Sequence, residues 1–219
     1  MKYLLLSLLI LGLMLGAYEG IYKQGVKKVV NDRIFKNDEV YLEIIWDASG
    51  SMWGREAGIE KILRSKKILK TITNKAPADI NIGLRIFGAR KTGDINDSFL
   101  AVPIGKKNKE VIQNFITNIR PLGKSPIGLS LQKAKNDLKD LKGEKCIILV
   151  SDGIDNGKIP PGNIIEHLKE DQIALYIVHI GDLNNNELQQ KLKTIAESTD
   201  GKYFNYKQNK EVVSVIKQQ

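Results

Sequence analysis

The run Val40-Tyr-Leu-Glu-Ile-Ile-Trp46 ends directly on Asp47-Ala-Ser49-Gly-Ser51, and that junction restricts the fold more than any other feature of the chain. A nearly continuous apolar run of this kind is what a central strand buried on both faces requires. Such strands belong to parallel sheets with helices above and below. The run stops on one carboxylate and two hydroxyls placed at every second residue, just past the strand's carboxyl end. In open α/β sheets that is where ligands bind. A small divalent cation prefers such donors, because Mg²⁺ takes hard oxygens in near-octahedral array and keeps part of its water. Asp, Gly and Ser also build ordinary turns, so this alternation alone leaves both roles open.

The rest of the chain continues the pattern. Gly58–Thr73 carries Ile59, Ile62, Leu63, Leu69 and Ile72 at roughly helical spacing. Ile80, Ile82, Leu84 and Ile86 alternate strictly, which predicts a strand with one polar-tolerant face. The loop Arg90–Asp97 then leads to a second strand, Ser98–Val102. It is too short for a parallel crossover, so these two strands form an antiparallel hairpin at one edge. Lys109–Asn118 predicts a short helix, and Pro126–Leu141 a longer one with Pro126 suited to its first turn. There follow a strand at Cys146–Val150, a helix at Gly162–Glu170, a strand at Ala174–Ile180 and a helix at Glu187–Ser198. Lys202–Asn205 predicts a last short strand and Asn209–Lys217 a final helix. The expected fold is α/β and doubly wound (Rossmann-like): a mostly parallel six-stranded sheet, one antiparallel edge strand, helices on both faces.

Two later segments add donors of the same kind. Ser125 lies in Leu122-Gly-Lys-Ser-Pro126, just before a helical pattern, and Asp152 lies in Ser151-Asp-Gly153, just after an apolar run. With Asp47-x-Ser49-x-Ser51 they resemble, in order, the metal-ion-dependent adhesion site of the von Willebrand factor A domain. The resemblance covers roughly residues 38–219. Met52-Trp-Gly54, Pro121–Pro126 and Leu149–Gly153 look most like its bacterial stand-alone members. It implies that Asp47, Ser49, Ser51 and Ser125 ligate Mg²⁺ (or Mn²⁺ or Ca²⁺), with Asp152 ligating directly or through water. It further implies an open coordination position for an Asp or Glu carboxylate of a protein partner, with no catalysis and no small-molecule substrate. The second-loop residue, usually Thr in the family, is Ser here, which keeps the hydroxyl but loses the methyl that stiffens χ1. Each residue has a plainer role to weigh against this: Asp47 and Ser125 as caps, Ser49 and Ser51 as turn residues, Asp155 as a solvated acid.

Other function classes find little support. The net charge of +9 comes from 34 basic and 25 acidic residues, but the lysines are spread through every segment and aromatics are only 6%. A nucleic-acid surface would group them, so we read solvated faces instead. Gly123-Lys-Ser125 imitates the end of a phosphate-binding loop, but Asn118 stands where its first glycine is required. His167 reads as exposed, His179 as a core residue, and Asp94 and Asp97 as a solvated hairpin tip. The single Cys146 reads as a small buried hydrophobe.

The N-terminus concerns location. Tyr3–Tyr18 is an apolar stretch of 16 residues after Met1-Lys2. That is long for a signal sequence and short for a membrane span. We expect residues 1–17 to be a signal peptide or an uncleaved membrane anchor, 18–38 a linker or stalk, and 39–219 the domain. Lys23, Lys27, Lys28, Arg33 and Lys36 follow the stretch, which by the positive-inside tendency favours an inward-facing domain. The resemblance implies the opposite, export to the periplasm or to the outer face of the cytoplasmic membrane. Export is the expectation adopted here. A cytosol-facing accessory subunit of a motor ATPase, and a metal-independent interaction module, are the competing readings.

Overall fold

The computed structural model describes residues 39–56, 58–182 and 184–206. Its main sheet contains β1 (Val40–Asp47), β4 (Asn81–Phe87), β5 (Ser98–Gly105), β6 (Glu144–Ser151), β7 (Ile173–His179) and β8 (Tyr203–Asn205). The strand order is β5-β4-β1-β6-β7-β8. All pairs are parallel except β4 with β5, so the expected sheet and its antiparallel edge are both present. A separate two-stranded ribbon joins β2 (Arg55–Glu56) to β3 (Ile59–Glu60). The helices are α1 (Lys61–Lys75), α2 (Lys109–Asn118), α3 (Ile127–Leu138), α4 (Ile165–Glu170) and α5 (Asn186–Glu197).

Alternation along the strands divides the core into two layers. Leu42, Ile44 and Trp46 of β1 pack with Ile62, Leu69 and Ile72 of α1 and Ile112 and Ile116 of α2. Ile45 on the opposite face packs with Leu131 and Leu138 of α3, Leu168 of α4 and Ile195 of α5. Burial on both faces explains why β1 and β6 read as continuous apolar runs. Trp46 also donates its indole N–H to Ser65 Oγ at 2.9 Å, which fixes α1 against β1. A buried indole needs such a partner.

Element boundaries differ for local reasons. The first helix starts at Lys61 rather than Gly58, because Ile59 and Glu60 pair with the preceding ribbon strand. β5 runs on to Gly105 through exposed Pro103 with register shifts against β4, as an edge strand allows. The helix expected from Gly162 opens as a 3₁₀ turn, Pro161–Ile164, after Pro160. The expected final helix and the segments 1–17 and 18–38 lie outside the described residues. Among the described residues no helix is long and apolar enough to cross a membrane.

The polar-tolerant face of β4 is present and is itself buried. All seven residues of β4 are buried, the polar ones included. Arg85 donates from Nε to Glu43 Oε1 at 2.8 Å and pairs with Asp137 of α3. Alternation therefore marks two kinds of burial here, one apolar and one ionic, and neither face sees water.

Candidate metal centre

The chain leaves β1 toward β4 on one side and later returns to β6 on the other, so β1 and β6 border the switch in strand order. Asp47 ends β1, and Ser151 and Asp152 end β6 beside it, Trp46 pairing with Val150. Carboxyl ends at such a switch open a crevice between diverging loops.

The first loop is wound on Asp47. Its Oδ1 accepts from Ser49 N at 2.9 Å and Ser49 Oγ at 2.6 Å, and its Oδ2 accepts from Ser151 Oγ at 2.6 Å. Ser49 Oγ lies 3.1 Å from Ser51 Oγ. The second loop is pinned to the first by Gly50 N donating to Gly123 O at 2.9 Å and Leu122 N donating to Ala48 O at 3.0 Å. The third joins the second through Asn156 N, which donates to Ser125 O at 2.9 Å. All five candidate residues thus belong to one hydrogen-bonded set of loops. Ser125 Oγ is buried and has no hydrogen-bond partner among the described residues.

Gly88, next after β4, makes this junction possible. Its φ of +68° lies in the left-handed region, and its carbonyl accepts from Gly123 N at 2.7 Å and Leu122 N at 3.1 Å. A Cβ there would stand 2.5 Å from Lys124 O and 2.7 Å from Ser49 Cα. Gly88→Ala is therefore expected to cost about 2–3 kcal/mol, from strained φ and from crowding of two backbones. Urea unfolding of the variant beside wild type checks it.

Asp152 is buried and held on every side. Its Oδ1 accepts from Ile154 N at 3.2 Å and its Oδ2 from Lys61 Nζ at 2.9 Å. Its carbonyl faces His179 Nε2 at 2.9 Å, and Tyr203 Oη lies 2.8 Å from His179 Nδ1. A carbonyl can only accept, so Nε2 carries the proton and Tyr203 donates to Nδ1. Burial lowers the pKa of His179, which agrees with this neutral tautomer. Burial, followed by the charge of Asp152, pushes the Asp47 carboxyl up to about 7 against the lowering hydrogen bonds from Ser151 and Ser49. The centre thus crowds two buried acids together, and each disfavours the charge of the other.

Residues 42–218 match the von Willebrand factor type A domain. The chain belongs to this family. The Bacillus subtilis protein YwmC is 26% identical over 185 residues, covering 80% of this chain and 81% of YwmC. YwmD of the same organism is 24% identical over 181 residues, covering 77% and 80%. The fold is shared with a von Willebrand factor type A protein of Catenulispora acidiphila (TM-score 0.61, 16% identity, 83% of this chain and 41% of that one). It is shared too with manganese-loaded Plasmodium vivax TRAP protein (TM-score 0.58, 17% identity, 83% and 74%). A Bacteroides fragilis aerotolerance-related membrane protein also has it (TM-score 0.59, 17% identity, 83% and 100%).

Within this von Willebrand factor type A domain, two plainer readings change. Asp155 is not simply solvated: its Oδ1 accepts from Ile127 N at 2.9 Å and so caps α3, a role assigned above to Ser125. Asp97 is buried, accepting from Arg90 N at 2.7 Å and pairing with Arg90 Nε at 2.8 Å, so the hairpin tip is locked. His179 is in the core, as expected, and its ring also holds the Asp152 carbonyl. Ser151 and Lys61 complete the centre, and sequence reasoning passed over both.

Proposed function

We propose that the chain is a divalent-cation-dependent protein-binding domain that engages an acidic residue of its partner through the ion. The observation that carries this reading is the buried, unpaired hydroxyl of Ser125. Burying a hydroxyl without a partner costs about 1–3 kcal/mol, which ligation of a cation offsets. Asp47, Ser49, Ser51 and Ser125 would hold Mg²⁺, or Mn²⁺ or Ca²⁺ in its place, with Asp152 direct or through water. Two carboxylates and three neutral hydroxyls fit a hard cation. When bound, the ion supplies an electrophilic position that a partner's Asp or Glu carboxylate can fill.

The surroundings support a protein partner. Trp53, Leu122 and Ile154 are half exposed, one on each of the three loops. Trp53 is fixed by donating its indole N–H to Pro121 O at 2.9 Å. Exposed apolar side chains grouped around a polar centre mark an interaction surface. The way the candidate bases and nucleophiles are held supports a non-catalytic reading. His179 commits both ring nitrogens, burial pushes the Cys146 thiol up to about 12, and His167 faces only Glu170 on exposed α4. Export is proposed from the family resemblance together with the apolar stretch Tyr3–Tyr18, with residues 1–17 as signal or anchor, 18–38 as linker or stalk and 39–219 as the domain.

Calorimetric titration of the EDTA-stripped full chain with MgCl₂ tests the ion. One-site binding is expected; no heat up to millimolar ion would leave a metal-independent interaction module. A partner bound in Mg²⁺ should then be released by EDTA and by amidation of a single acid. Binding that survives both would overturn the bridge.

A further inference from the structure

The ammonium of Lys61 sits where a cation is wanted. It donates to Asp152 Oδ2 at 2.9 Å, and the side chain is 15% exposed against 0% for Asp152. Asp152 Oδ1 is already engaged by Ile154 N, so the lysine takes the remaining oxygen of this carboxylate. The arrangement is built rather than incidental. The ribbon β2–β3 carries the chain out and back, and Lys61 N donates to Gly54 O at 2.9 Å where it returns. Gly54 leaves the space that the lysine stem fills: a Cβ there would lie 3.3 Å from Lys61 Cε and 3.5 Å from Nζ. Lys61 is also the first residue of α1, and its N-cap Glu60 makes no side-chain cap. A cation is unfavourable at a helix N-terminus, so its neighbour must offset the dipole, and Asp152 does.

We propose that Lys61 is a tethered counter-cation which competes with the divalent ion for Asp152. It offsets the charge of Asp152 while the ion is absent and must be displaced when the ion binds. Ion affinity is thereby set below that of the five donors alone, and loading converts an internal ion pair into a free ammonium beside the coordination site. The ammonium then adds to the attraction for the partner's carboxylate. This inference rests on the ion-binding reading above.

The test compares Mg²⁺ titrations of the full chain with those of Lys61→Met and Lys61→Arg, with Lys124→Met as a control for general charge removal. Lys124 is exposed in the second loop beside Ser125. Lys61→Met is expected to bind Mg²⁺ about tenfold more tightly, while Lys61→Arg and Lys124→Met stay near wild type. Amine acylation followed by mass spectrometry supplies a readout on the unmutated protein. Lys61 should label several-fold faster in Mg²⁺ than in EDTA, and Lys124 equally in both. Equal affinity in wild type and Lys61→Met, or labelling indifferent to the ion, would overturn the competition alone. Failure of both proteins to bind Mg²⁺ would overturn the ion-binding reading and this inference with it.

Discussion

Asp47→Asn is expected to abolish Mg²⁺ binding and yet leave the ion-free domain as stable as wild type, or more so, above neutral pH. The amide keeps the shape: its oxygen can accept from Ser49, and its NH₂ can donate to Ser151 Oγ, the contacts made by the carboxylate. What it removes is a buried charge facing a second one. Burial first, and then the charge of Asp152, pushes Asp47 up to about 7. The sign follows from where the proton sits. Between the ordinary value of 3.8 and about 7, the unfolded chain has lost this proton and the native state has kept it. Native stability from this group is therefore present at low pH and lost as pH rises through 7. Asn has no such loss, so its advantage should appear at pH 8 and vanish at pH 5. Ion affinity moves the other way. Disturbing groups that merely orient a metal ligand costs about 10–100-fold, and removing an anionic ligand should cost more. Calorimetry with Mg²⁺ and urea unfolding in EDTA at the two pH values check both halves. Unchanged affinity, or an Asn variant markedly weaker than wild type at pH 8, would contradict the account.

The difference between what the chain announces and what it conceals lies in sequence distance. β1 is legible because burial on both faces demands an unbroken apolar run, and the edge hairpin because Arg90–Asp97 is too short for a crossover. The donors Asp47, Ser49 and Ser51 are legible as a local pattern. Lys61 is not, because its partner lies 91 residues further on. Ser151 reads as the end of a strand until the register of β1 with β6 brings its hydroxyl to Asp47. Gly88 looks like any glycine after a strand. Its need appears only when two loops, around Ser49 and Lys124, close on it. Alternation in β4 shows that two faces differ, but cannot show that α3 covers the polar one. Glu43 looks like a flaw in an apolar run for the same reason.

That apparent flaw carries the largest expected change in stability. Arg85→Ala should destabilise the domain by about 3–5 kcal/mol, the usual cost of leaving one member of a buried ion pair alone. Glu43 is fully buried, Arg85 Nε is the donor to its Oε1, and its Oε2 has no partner among the described residues. Burial already pushes this carboxyl up to about 7, with the Arg85 charge holding it down. Without the guanidinium it rises further, and Glu43 stays protonated to higher pH. An acid raised in the folded state contributes stability at low pH and loses it as pH increases. Urea unfolding should therefore show a wider gap between variant and wild type at pH 8 than at pH 5. Glu43→Gln combined with Arg85→Met should recover most of the loss, since the stranded charge rather than the missing attraction is responsible. The exposed pair Lys106–Glu39 offers the contrast: Lys106→Ala should leave stability nearly unchanged. Glu43 and Asp47 lie on the same face of β1, four residues apart. The ion pair that holds β1, β4 and α3 in register therefore also fixes the strand end from which the metal centre is built.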